Sequence, residues 1–154
     1  DLSKIDTLKF GAVDVAMGKE KGDYSVIVSG AVNVDTGTLY VYDAFMERVH
    51  PDILIDKVVE YTMREEYDGL GVEAQAMQEF IADRMRDRLQ NAGYPAYTRL
   101  KKIKQHAGAR KSMRIEALLP DIQSGKIRFH RKFQNSPEME QFEMYGMHRN
   151  DDFP

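Results

Sequence analysis

Four acidic residues in this 154-residue chain stand where carboxylates are either costly or crowded. Asp14 lies between Val13 and Val15, inside an apolar run that calls for burial. An isolated buried carboxylate costs several kcal/mol or takes up a proton, so Asp14 needs a partner. Glu73 follows Leu70-Gly71-Val72 in the same way, and Asp151 and Asp152 stand side by side behind His148 and Arg149. Two adjacent strands can bring the first two together, and a third segment can add Asp151 or Asp152. Such a cluster repels itself unless cations bind it, and all-oxygen ligands suit Mg2+ or Mn2+. Two such ions about 3.5–4 Å apart clamp a phosphodiester, one activating water and the other stabilising the departing 3′ oxygen. No protein nucleophile is needed, in keeping with a chain that has no cysteine. Singly, each residue has a blander reading: a turn cap or ion pair for Asp14, a helix cap for Glu73, a polar tail for the terminal pair. Their conjunction is what points to hydrolysis.

The basic residues are also unevenly spread. Arg99 to Arg114 (RLKKIKQHAGARKSMR) holds seven of the 22 Lys and Arg residues and none of the 25 acidic ones, which leaves the remainder distinctly acidic. Lys126, Arg128, Arg131 and Lys132 form a second, smaller cluster. A solvated loop is the plainer explanation of the first run; the functional one is a strip that contacts phosphates, because polyanion binding is driven by Lys and Arg. The run carries Gly108 and no large aromatic, which favours backbone contact over base stacking.

The elements that would carry these residues follow from periodicity. Residues 8–15 form a short apolar run ending in Asp14 and read as a buried strand, and GKEKGD at 18–23 reads as a turn. Residues 24–34 and 38–45 are β-branched and aromatic runs parted by Asp35-Thr36-Gly37, a hairpin signal. The period then changes. Pro51 opens a helix through Leu54, Ile55, Val58, Val59 and Thr62. Residues 69–72 make a strand ending at Glu73, and Met77, Phe80, Ile81, Met85 and Leu89 mark a second helix closed by Gly93 and Pro95. Residues 95–98 read as a short strand, 112–124 as a third helix disturbed at Pro120, 126–129 as an edge strand and 137–145 as a short helix. The order β-β-β-α-β-α-β-α-β predicts a mixed α/β sheet, three antiparallel strands then parallel ones, with helices on both faces.

Composition narrows the field. With 42% hydrophobic and 31% charged residues the chain suits one soluble domain with one core. Net charge of −3 does not by itself announce a nucleic-acid binder. The lack of cysteine excludes a disulfide framework, a thiolate zinc site and a thiol nucleophile, and fits a reducing compartment. No apolar stretch approaches the roughly 18 residues of a membrane span, and residues 1–10 lack the parts of a signal peptide. A start at Asp1 and a stop at Pro154 are those expected of a piece of a longer protein.

These residues carry a family resemblance. GAVDVAMGKEKGDYSV resembles the opening motif of the nuclease domain of bacteriophage terminase large subunits: a strand Asp, a small loop, then Gly-Asp-aromatic-Ser. GLGVEAQAM resembles the second acidic strand, RKSMRIEALLPDIQSGKIRF the segment in which Arg-Ile precedes a helix, a Gly and a strand, and FEMYGMHRNDDFP the Asp-Asp ending. The four motifs run in order over nearly the whole chain. The resemblance implies a single ribonuclease H-like domain over residues 1–154, with two Mg2+ or Mn2+ ions, that cuts concatemeric double-stranded viral DNA during genome packaging. By position it makes Asp14, Glu73, Asp151 and Asp152 the catalytic metal ligands and Asp23 an accessory ligand or loop-ordering residue. Lys102, Lys104, Arg110, Lys111 and Arg114 become the DNA track, and His148 a candidate proton donor to the leaving group. The family's ATPase motor motif G-x-x-x-x-G-K-[ST] is absent, so the chain matches the nuclease part alone. The implied partners are that motor domain, the small terminase subunit and the portal, with no membrane, in the cytoplasm of an infected bacterial host.

Rival readings differ in chemistry. A junction resolvase or transposase core would share the acidic strand ends, though the Gly-Asp-Tyr-Ser loop and the RIEALLPDIQSGKIRF segment favour a terminase. Phosphotransfer of the actin-like ATPase or sugar-kinase kind would need a second lobe that this length does not allow. A non-catalytic DNA-binding assembly module would keep the basic strip and leave Asp14 and Glu73 without a special role.

Overall fold

The computed structural model describes residues 2–15, 24–74, 79–103 and 119–134. In chain order they form β1 (Thr7–Asp14), β2 (Ser25–Asn33), β3 (Leu39–Glu47), α1 (Pro51–Glu65), β4 (Gly69–Glu73) and α2 (Glu79–Asn91). Then come α3 (Ala96–Arg99), β5 (Leu100–Ile103), α4 (Leu119–Gln123) and β6 (Ile127–Phe129). Single 3-10 turns lie at Leu2–Lys4 and Arg131–Phe133. The strands make one six-stranded sheet in the order β5-β4-β1-β2-β3-β6. β1, β2 and β3 are an antiparallel meander, while β4, β5 and β6 join parallel to their neighbours. This is the mixed architecture predicted from periodicity.

Local chemistry explains the meander and the first helix. Asn33 closes β2 by accepting the backbone N–H groups of Asp35 and Thr36 on its Oδ1 at 2.9 and 3.3 Å, and Gly37 supplies the positive φ of 75° that completes the hairpin. At the start of α1 the His50 imidazole accepts the Asp52 N–H at 3.1 Å, ahead of Pro51 in the first turn. The helix ends on Glu66 in the left-handed region, at φ 53°, with its N–H donating to the Thr62 carbonyl.

The core lies between α1, α2 and one face of the sheet. Leu54, Ile55 and Val58 of α1 and Ile81, Met85 and Leu89 of α2 are fully buried against Val13, Ile27 and Val72. Phe80, expected on the apolar stripe of α2, is instead 54% exposed. The third helix is described only from Leu119 onward, where α4 packs beside β6. The expected turn at 18–23 and the helix at 137–145 lie outside the described residues.

One strand assignment is corrected. Residues 95–98 do not form a strand: the Pro95 carbonyl accepts the Thr98 hydroxyl at 3.0 Å and the Arg99 N–H at 3.1 Å, winding the turn of α3. The strand begins at Leu100, inside the basic run. β5 closes one edge of the described sheet and buries only Leu100 of its four residues, so it lacks the apolar alternation by which a strand is recognised.

Tyr67 locks the middle of the sheet to the helical layer. Its ring lies so close over Gly11 that a Cβ there would stand 2.7 Å from Tyr67 Cδ2 and 2.8 Å from Leu70 Cδ1. The Tyr67 and Ser29 hydroxyls, both fully buried, share a hydrogen bond of 2.5 Å. The Tyr67 carbonyl accepts from the Tyr94 hydroxyl at 2.6 Å and from Arg99 at 3.3 Å. Burial pushes the Tyr67 phenol up to about 12, against the opposing effect of the Ser29 bond.

Candidate active site

Parallel pairing of β1 with β4 runs from Phe10 opposite Gly69 to Asp14 opposite Glu73. The register is clipped at both ends. At the start, Asp68 Oδ2 accepts the Lys9 N–H at 2.9 Å while the Asp68 N–H donates to the Lys9 carbonyl at 2.8 Å. At the finish, the Val15 N–H donates to the Glu73 carbonyl at 3.1 Å. Residues in register point to the same face, and neighbouring strands lie about 4.8 Å apart, so Asp14 and Glu73 present their carboxylates side by side. Both are half-buried. Val13, Val15 and Val72 point the other way into the core, which resolves the burial conflict at Asp14: the chain alternates, and the acid takes the face away from α1 and α2.

The pair also occupies a privileged place in the topology. From β1 the chain builds outward through β2 and β3 on one side, then crosses over α1 to start β4 on the other. Asp14 and Glu73 thus lie at the carboxyl ends of two parallel strands at the point where strand order reverses. In open α/β sheets ligands bind at that crevice.

Across the sheet, Met46, Val26, Asp14, Glu73 and Ile103 form one row on this face. The row behind it holds Ala44, Val28, Ala12, Gly71 and Lys101. Gly71 has a steric reason: Ile103 folds back over β4, and a Cβ at 71 would stand 2.6 Å from its Cδ1. The two carboxylates are therefore flanked by Val26, Val28, Ala12 and Ile103, with Lys101 as the one cation in these two rows.

Of the other residues singled out from sequence, Lys102 falls on the opposite face from the carboxylates, in register with buried Val72. Its ammonium pairs with Asp83 of α2, and that contact holds the Asp83 carboxyl below its usual range. Asp23, Lys104, Arg110, Lys111, Arg114, His148, Asp151 and Asp152 lie outside the described residues. In the second basic cluster, Lys132 pairs with Asp43 at 2.7 Å and Arg128 donates to the Gly125 carbonyl at 3.1 Å, beside the opposite edge of the sheet. Sequence reading missed Lys101 and Ile103. A strand begun at Leu100 and not at Pro95 puts both on the face of the carboxylates.

Asp14 and Glu73 are hard oxygen donors, a set that fits Mg2+ or Mn2+. Among the described residues no group of three or more His, Asp or Glu side chains gathers to hold a metal, and Asp14 and Glu73 stand as a pair.

Known folds give the architecture a context. No protein-family model and no curated protein sequence matches the chain. Thermus thermophilus RuvC is similar in structure, with a TM-score of 0.53 at 12% identity over 76% of this chain and 81% of that one. The g2p large terminase nuclease domain of bacteriophage SPP1, solved with bound Mn, is similar with a TM-score of 0.50 at 13% identity over 92% of this chain and 70% of that one. The chain thus has the ribonuclease H-like fold, shared with the SPP1 terminase nuclease domain and with T. thermophilus RuvC.

Proposed function

We propose that this chain is a metal-dependent endonuclease that hydrolyses phosphodiester bonds of double-stranded DNA, serving as the nuclease of a phage packaging terminase. One observation carries the reading: Asp14 and Glu73, remote in sequence, stand opposite one another at the switch point of the sheet. Asp14 and Glu73 would hold the ions, with Asp151 or Asp152 completing the set. When bound, divalent ions supply Lewis-acid activation of water and stabilisation of the leaving 3′ oxygen. The protein's own contribution is positional. The clipped ladder fixes the spacing of the two carboxylates, and Lys104, Arg110, Lys111 and Arg114 would offer counter-charge to the phosphate backbone. On this reading the substrate is concatemeric viral DNA in an infected bacterial cytoplasm, and the partners are an ATPase motor domain, a small terminase subunit and a portal.

Junction resolution is the second reading, favoured by the similarity to RuvC. Cleavage of a linear duplex and of a four-way junction in Mn2+ separates the two. Preference for linear duplex supports the packaging nuclease; preference for the junction supports a resolvase. The Asp14→Asn variant is expected to lose either activity while keeping the circular dichroism of the parent. If it cuts as well as the parent, the catalytic assignment is overturned.

A further inference from the structure

Sorting the strand residues by face leaves one cation unaccounted for. Asp14, Glu73 and Lys101 are the only acidic or basic residues of the six strands that share the carboxylate face. The other strand lysines and arginine, Lys9, Lys102 and Arg128, fall on the opposite face by the same registers. All three residues of the charged corner lie on adjacent parallel strands, β1, β4 and β5, and Lys101 is exposed.

The spacing limits what Lys101 can touch. It is in register with Gly71, one strand from Glu73 and two residues back along the sheet. Strand spacing and rise put its Cα about 8 Å from that of Glu73 and about 12 Å from that of Asp14. The larger distance corresponds to a rise of on the order of three nucleotides of one DNA strand. A flexible lysine stem covers much of that gap, which brings a phosphate beside the acidic pair within range of its ammonium. Gly71 and Ala12 raise no bulky side chain of their own, and the space over Gly71 is taken by the tip of Ile103, which is 47% exposed.

We infer that Lys101 is a positioning residue that grips a backbone phosphate flanking the scissile bond and so registers the duplex over Asp14 and Glu73. The inference rests on the nuclease reading, but it can be tested without turnover. Fluorescence anisotropy of a labelled linear duplex in Ca2+, with salt varied between about 50 and 200 mM, reads affinity and the number of phosphates neutralised. Lys101→Ala is expected to weaken binding about three- to ten-fold at intermediate salt and to lower the salt slope by about 0.9, with Lys101→Arg restoring both. Lys57→Ala, on α1 across the sheet and paired with Glu60, removes the same charge and is expected to leave both unchanged.

An unchanged slope in Lys101→Ala overturns the inference, as does a loss of equal size in Lys102→Ala, which would make the effect one of bulk charge. Absence of duplex binding by the parent chain overturns it as well. Failure of the nuclease reading is separate, because it is read from Mn2+-dependent cleavage by Asp14→Asn and not from binding in Ca2+.

Discussion

Asp68 holds Lys9 at two points, accepting its N–H on the carboxylate at 2.9 Å and donating its own N–H to the Lys9 carbonyl at 2.8 Å. Five residues further along β4, that clip delivers Glu73 opposite Asp14. A slip of one residue would turn Glu73 to the helical face and separate the two acids. Asp68→Ala is expected to lower stability by about 1 kcal/mol in urea unfolding, and Asp68→Asn, whose amide oxygen still accepts, to lower it less. Equal losses in the two variants would mean that the side-chain bond contributes nothing to the register.

Gly11 and Gly71 both sit under a side chain, and the two should respond differently to alanine. At Gly11 the new Cβ meets the Tyr67 ring, which is buried and held through Ser29 and Tyr94. At Gly71 it meets the tip of Ile103, which is 47% exposed and free to swing outward. Gly11→Ala is expected to cost about 1–3 kcal/mol and Gly71→Ala less than about 1 kcal/mol, measured by thermal or urea unfolding.

Tyr67 makes stability fall at alkaline pH. Its folded-state value, about 12, lies above the ordinary 10.0, chiefly because burial penalises the phenolate. Its stabilising contribution is therefore fully present below about pH 10 and is lost as the pH rises toward 12. Burial also raises Tyr42, Tyr61 and Tyr94, so Tyr67→Phe is expected to flatten the alkaline slope without abolishing it. At neutral pH the same variant leaves the Ser29 hydroxyl buried without its partner and is expected to cost about 1–2 kcal/mol. Urea titrations of parent and variant from neutral to alkaline pH test both statements; parallel curves would exclude the Tyr67 contribution.

Metal binding at Asp14 and Glu73 should be visible without substrate. Mn2+ is expected to raise the melting temperature of the parent chain, since a ligand that binds only the folded state stabilises it. Asp14→Asn and Glu73→Gln are expected to lose most of that rise and to reduce Mn2+-dependent nicking of plasmid by at least about 100-fold. EDTA should return the parent to its metal-free melting temperature. A full Mn2+ shift in either variant would remove that residue from the ligand set.

The acidic strand ends are legible in the sequence because each breaks a local rule: a charge in or just after an apolar run of strand length needs a functional or structural reason. The helical stripe of α1 was equally plain, since Leu54, Ile55, Val58 and Thr62 recur at the helical period and are all buried. β5 was misread by several residues. An edge strand buries little, and Leu100–Ile103 is mostly solvated on both faces, so hydrophobic alternation had nothing to act on. Which face Lys101 and Lys102 take follows from the register of β5 with β4, which a basic run read as a loop does not carry.

Sequence by itself determined the order of strands and helices, because periodicity, caps and turn residues act over a few neighbours. It also determined which carboxylates were anomalous. Only tertiary structure decided that Asp14 and Glu73 are register partners on one face, and that Lys101 joins them while Lys102 turns to Asp83. Strand order and register depend on hydrogen bonds between distant segments, such as the Asp68–Lys9 clip, and a one-residue change in either reverses every side chain's face. No local pattern encodes that choice.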